Sequence, residues 1–85
     1  MIEILFFGRL GDASETMSID LPVGVSDIEG LTKWLSSQNP ALENELSKDG
    51  NRVAVNKTII TVNESLKDGD EIAYMSPLSL SLIHI

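Results

Sequence analysis

Cysteine is absent from this 85-residue chain, so neither a disulfide framework nor a zinc site with cysteine ligands can brace it. One small core must then hold the fold, built from the hydrophobic 42% of the residues, a fraction ordinary for a globular domain. Basic residues are scarce too: six lysines and arginines face thirteen acidic residues, for a formal charge of -7. That balance argues against nucleic acid, whose phosphates need basic contacts, and a protein partner is expected to present a basic docking surface. No apolar run is long enough to span a bilayer, and no charged-then-apolar start marks the chain for secretion. A cytoplasmic protein with no membrane partner is expected.

Catalytic chemistry has equally little to work with. His84, the one histidine, lies in the final two residues, where ordering is weakest. The serines have no histidine placed to activate them, and no glycine-rich phosphate loop is present. Asp68, Asp70 and Glu71 form a carboxylate group interrupted by Gly69 in a turn, whereas a calcium loop spreads its oxygen ligands over a longer segment. A solvated turn is the expectation there. Neither a catalytic residue, nor a metal site, nor a bound cofactor is assigned.

What the chain does have is clear strand and helix patterning. Ile2 to Phe7 is apolar on both faces, as a central strand is, with Ile2, Ile4 and Phe6 on one side and Glu3, Leu5 and Phe7 on the other. Gly8 to Ser14 reads as a loop. Glu15 to Leu21 alternates, Met17, Ile19 and Leu21 against Thr16, Ser18 and Asp20, and predicts a half-buried strand antiparallel to the first. Pro22 and Gly24 end it.

Ser26 followed by Glu29 fits a capping box, and Ile28, Leu31, Trp34 and Leu35 fall on one helical stripe. A helix from Asp27 to Ser37 is predicted, with Trp34 in the core and Gly30 a weak point costing about 1 kcal/mol relative to alanine. Asn39-Pro40 breaks it, and Ala41, Leu42 and Leu46 fit a further short helical segment. Asp49-Gly50-Asn51 is a turn. Val53 to Asn56 and Thr58 to Val62 are short strands around an Asn56-Lys57 turn.

Asp68-Gly69 then supplies the positive φ of a tight turn, and Glu71 to Met75 alternates as the closing strand. Pro77, which cannot donate to a ladder, should end pairing. The pattern is an α+β domain over residues 1–77, its helix packed across one face of a mixed sheet, with a C-terminal tail at 78–85. If Ile72 and Tyr74 face the helix together with Ile2, Ile4 and Phe6, parity puts Leu5, Phe7, Ala73 and Met75 on the open face. Such an apolar patch is expected to be a binding surface, unless a loop or the tail covers it.

Phe6-Phe7, Ala54-Val55-Asn56 and Leu66-Lys67-Asp68-Gly69-Asp70-Glu71-Ile72-Ala73, in that order and spacing, resemble the small subunit of molybdopterin synthase, a ubiquitin-like sulfur carrier. The resemblance runs from Met1 to Pro77. It implies a β-grasp fold with the first and last strands parallel and adjacent at the sheet centre. It also implies two partners, the synthase large subunit and an adenylating enzyme similar to ubiquitin activators, which uses ATP. The carrier's terminal glycine is adenylated, becomes a thiocarboxylate, and delivers sulfur to a pterin precursor inside the large subunit. Partner binding is accordingly assigned to Leu5, Phe7, Ala73, Met75 and the exit segment Ser76, Pro77 and Leu78.

The family's proline-containing end is followed by Gly-Gly; here Leu80-Ser81 stands in that place, with Leu82-Ile83-His84-Ile85 beyond it. A tail threaded through a narrow channel benefits from residues without Cβ, and its reacting carbonyl must be terminal. As written, the terminus is expected not to carry sulfur. A thiamin-pathway sulfur carrier is the alternative within the same fold, and a non-catalytic β-grasp interaction module is the alternative of another class.

Overall fold

A computed structural model describes residues 1–48 and 50–76. Five strands form one mixed sheet in the order β2-β1-β5-β3-β4. They are β1 (Ile2–Phe7), β2 (Met17–Ile19), β3 (Arg52–Val55), β4 (Thr58–Ile60) and β5 (Glu71–Met75). The first and last strands lie side by side and parallel at the centre, in register from Glu3↔Glu71 to Phe7↔Met75, and every other pairing is antiparallel. Three helices complete the chain, α1 (Arg9–Ala13), α2 (Ile28–Gln38) and α3 (Pro40–Leu46). A parallel pair needs a long crossover, and the helices with the β3–β4 hairpin supply it. The arrangement is the ubiquitin-like β-grasp that the resemblance implies.

Alternation decides which face of the sheet the helices cover. Ile2, Ile4 and Phe6 of β1 and Ile72 and Tyr74 of β5 are buried in one cluster with Ile28, Leu31 and Leu35 of α2 and Leu42 of α3. Trp34 packs against this cluster half-buried, at its rim rather than its centre. The rings of Phe6 and Tyr74 stack with centroids 5.7 Å apart. The Tyr74 hydroxyl is 2.9 Å from Thr32 Oγ1, so its one polar atom is satisfied inside the core. Burial pushes its pKa up to about 12.

Several boundaries differ from the sequence reading, each for a local reason. The segment read as a loop from Gly8 holds α1, a single short helix whose Leu10 is fully buried. A helix this short shows no period; it exists because tertiary burial of Leu10 holds it. β2 is shorter than the alternation of Glu15 to Leu21, since β1 begins at Ile2, which already pairs with Ile19. The strands around the Asn56-Lys57 turn are Arg52–Val55 and Thr58–Ile60, and both turn residues have positive φ, 50° and 71°. That is the backbone of a two-residue hairpin matched to strand twist.

The cap of α2 is Asp27 rather than Ser26. Asp27 Oδ1 accepts from the Gly30 amide at 2.8 Å, while Ser26 offers its carbonyl to the Leu66 amide. The other first-turn amides are taken by the connector before β5: Ile28 donates to the Glu64 carbonyl and Glu29 to Asn63 Oδ1. All three leading amides of the helix thereby have partners. Asn63 also donates to Asp27 Oδ2, and the Gly30 and Asn63 bonds together hold the Asp27 carboxyl below its usual range.

Candidate functional site: the open sheet face and the chain exit

β5 is held at its start by a compact set of hydrogen bonds. Gly69, at φ 92°, turns the chain into β5, a conformation that a residue with Cβ adopts only with strain. Its amide donates to the Met1 carbonyl, the Glu3 amide donates to the Asp70 carbonyl, and the N-terminal ammonium pairs with the exposed Asp68 carboxylate. Asp70 itself is only 4% exposed. Its carboxylate accepts from the Lys67 amide and from Asn56 Nδ2, each at 3.0 Å. Asn56 closes the set: its Oδ1 accepts from the Glu71 amide and its own amide donates to the Glu71 carbonyl.

Two sequence stretches therefore meet in one place. Ala54-Val55-Asn56 and Asp68-Gly69-Asp70-Glu71 are the two halves of a latch that fixes the register of β5 against β3. The Asn56 and Lys67 bonds hold the Asp70 carboxyl below its usual range. The expectation of a solvated carboxylate turn holds for Asp68 and fails for Asp70, whose side chain folds back onto those donors instead of facing water. Among the described residues, no group of three or more His, Asp or Glu is placed to hold a metal ion.

The register fixed by this latch lays out the face opposite the helices in rows. Leu5, Ala73, Ala54 and Ile59 stand in line across β1, β5, β3 and β4. Leu5 and Ala73 are half-buried and Ile59 is 48% exposed. In the next row toward the end of β5 stand Phe7, Met75 and Arg52. Phe7 is 43% exposed, but Met75 is only 4% exposed, so it does not offer the surface expected of it. In the ladder it stands on the central strand between Phe7 and Arg52.

Ser76 follows, buried, just past the end of β5. Pro77, Leu78, Leu80 and Ser81, the remaining residues of the expected exit and terminus, lie outside the described residues. So does the expected domain boundary at 77. The sequence reading missed Ala54, Ile59 and Arg52. Their signal was present, since Val53 and Val55 share a face and leave Ala54 to the other, but pairing them with Ala73 requires the β3–β5 register.

The other large concavity is an open groove of about 740 Å³ between the start of α2 and the β3–β4 edge. Ile28, Val53, Ile60 and the exposed Val62 line it, with Glu29 and Arg52 among its polar groups. It lies on the side of Val53 and Ile60, the helix-covered side, away from the apolar row. Among the described residues, no helix is long and apolar enough to cross a membrane.

Comparison with known proteins agrees with this geometry. The ThiS family profile matches residues 4–79. The molybdopterin synthase sulfur carrier subunit of Escherichia coli is 27% identical over 79 residues, which cover 93% of this chain and 98% of the relative. The protein of the same name from Haemophilus influenzae is also 27% identical, with the same coverage. Among solved structures, SAMP1 from Haloferax volcanii superposes with a TM-score of 0.76 at 26% identity, covering 92% of this chain and 96% of that one. A chain from the complex of subunits 1 and 2 of molybdopterin-converting factor from Helicobacter pylori gives a TM-score of 0.66 at 27% identity, covering 89% and 92%.

Proposed function

The chain belongs to the ThiS family, and from that premise we propose that it is a sulfur-carrier subunit of molybdopterin synthase, docking on the large subunit through its open sheet face. The observation that carries the reading is the apolar row Leu5–Ala73–Ala54–Ile59 beside the exit of β5. A carrier must do two things, hold its partner and present its end, and an apolar row close to the end of β5 supports that reading. The relatives' names and the two-subunit complex support the same role and the same partner.

The rest of the cycle is part of the proposal. An adenylating enzyme activates the carrier's terminal carboxylate with ATP, a sulfur donor displaces AMP, and the resulting thiocarboxylate enters the large subunit. This chain contributes recognition and reach, and it binds no cofactor of its own. Leu80-Ser81 occupies the place of the family's diglycine. A bulky Leu80 in that place obstructs a narrow channel, so this segment is not expected to pass sulfur to the partner. A cytoplasmic setting completes the reading.

The test has two arms. In titrations with the cognate large subunit, Phe7→Ala and Ile59→Asp should each weaken binding at least about tenfold, as truncations in a docking patch do. Unchanged affinity in both would refute the docking face. Given ATP, an adenylating enzyme and a sulfur donor, Leu80→Gly with Ser81→Gly and residues 82–85 removed should show one oxygen-for-sulfur exchange by intact mass. The unedited chain should show none. A thiamin-pathway carrier is the second reading, favoured by the family matched; binding to the thiamin-pathway partner and not to the large subunit would select it.

A further inference from the structure

Glu3 and Glu71 stand in register on the two central strands, on the open face, in the row before Leu5 and Ala73. Adjacent strands are about 4.8 Å apart, and like charges placed directly beside each other on a sheet repel. Neither glutamate side chain has an ion pair or hydrogen bond among the described residues. Arg52, the sole basic residue of β1 to β5, is two rows away beside Met75, where it lines the groove at the β3–β4 edge and donates to the Asn51 carbonyl. The face is thus polarised along β5: two carboxylates stand at its start and an apolar row follows them.

We propose that Glu3 and Glu71 are specificity residues that receive a lysine or arginine of the protein partner, and that this polarity orients the partner over the chain exit. The proposal rests on the docking role of the face. An apolar row alone holds a partner without fixing its direction, since dispersion and burial are nearly indifferent to a half-turn. A carrier whose end must enter a specific opening needs that direction fixed. A carboxylate pair at one end of the patch supplies it, and it rejects partners that present acid at the Glu3–Glu71 end. Repulsion between the two glutamates is relieved when a cation of the partner arrives.

The combination of effects makes the test specific. The double variant Glu3→Gln/Glu71→Gln is measured free and in association with the cognate large subunit across a salt series, with Phe7→Ala as a control. The expected result is a raised thermal midpoint in the free protein, association slowed by about tenfold at low salt, and a flatter salt dependence. Unchanged association and salt dependence in the double variant, with Phe7→Ala still weakening the complex, overturns the charge assignment and leaves the docking reading intact. If Phe7→Ala is also without effect, the docking reading fails and takes this proposal with it.

Discussion

The two faces of the sheet are made from the same strands, yet they differ in almost every respect. On the helix side, Ile2, Ile4, Ile72 and Tyr74 are fully buried and interlock with α2 and α3. On the other side only Ala54 and Met75 are buried, while Leu5 and Ala73 are half-covered, Phe7, Ile59 and Glu3 are exposed and Glu71 is half-covered. Neighbouring residues along one strand therefore answer to different demands, one to folding and the next to the docking proposed for the open face. Pleat parity separates the two, so a substitution can be aimed at one demand with little effect on the other.

The largest expected effect tests that separation. Leu31 has no exposed surface and sits in the middle of α2 against the sheet. Leu31→Ala should cost about 2–5 kcal/mol in denaturant unfolding, through lost burial and the cavity left behind. Phe7→Ala, on the open face, should stay within about 1 kcal/mol while weakening the complex. Comparable destabilisation by the two would mean that the open face also carries the fold.

How much of this was legible in the chain follows from the same division. The covered face could be read because large aliphatic residues recur at strand and helix periods, and β5 was delimited by Asp68-Gly69 in front and Pro77 behind. The open face could be read only along each strand. Which residues of β3 and β4 join it depends on cross-strand register, and no residue type announces that. The burial of Met75 was not legible either, since its ladder neighbours Phe7 and Arg52 come from strands far apart in sequence. α1 left no period, and the cap of α2 was displaced by one residue because Ser26 and Asp27 are both capable caps and tertiary contacts chose between them. Asp70 reads as one more surface acid until Asn56 is brought beside it.

A middle-sized effect should come from that acid, and it reaches both faces. Asp70→Asn exchanges a charged acceptor for an amide facing two donors, the Lys67 amide and Asn56 Nδ2. The expected cost is about 1–3 kcal/mol at neutral pH. Because the latch holds β5 in register, hydrogen exchange should quicken at β5 amides beyond the mutated turn, and affinity for the large subunit should fall with it. The pH dependence has a definite sign. Asp70 is held below its ordinary pKa in the folded protein, so its contribution is complete above the unfolded value near about 4 and is lost as pH falls through the lower folded value. Asp27 acts in the same direction. Wild-type stability should decline on acidification in that range, and the decline should be shallower in Asp70→Asn. An equally steep acid limb in the variant would remove Asp70 from the account.

The smallest effect concerns the covered side alone and runs against helix propensity. Gly30 lies in the first turn of α2, where replacing glycine by alanine ordinarily gains about 1 kcal/mol. Here a Cβ at that position would stand 3.0 Å from Asp27 Oδ1, the oxygen that caps the helix. The carboxylate is not free to give way, since its other oxygen is held by Asn63. It would have to lengthen its 2.8 Å bond to the residue 30 amide or turn away from Asn63, and a lost cap costs about as much as the propensity gains. Gly30→Ala should therefore leave the thermal midpoint within about 2 °C of wild type or slightly below it, with affinity for the large subunit unchanged. Paired with Asp27→Ala, which removes the obstructing oxygen, the same substitution should recover its ordinary benefit relative to Asp27→Ala alone. A clear gain from Gly30→Ala in the wild-type background would show that the cap moves aside at no cost, and that this glycine is a weak point of the helix rather than the space its cap requires.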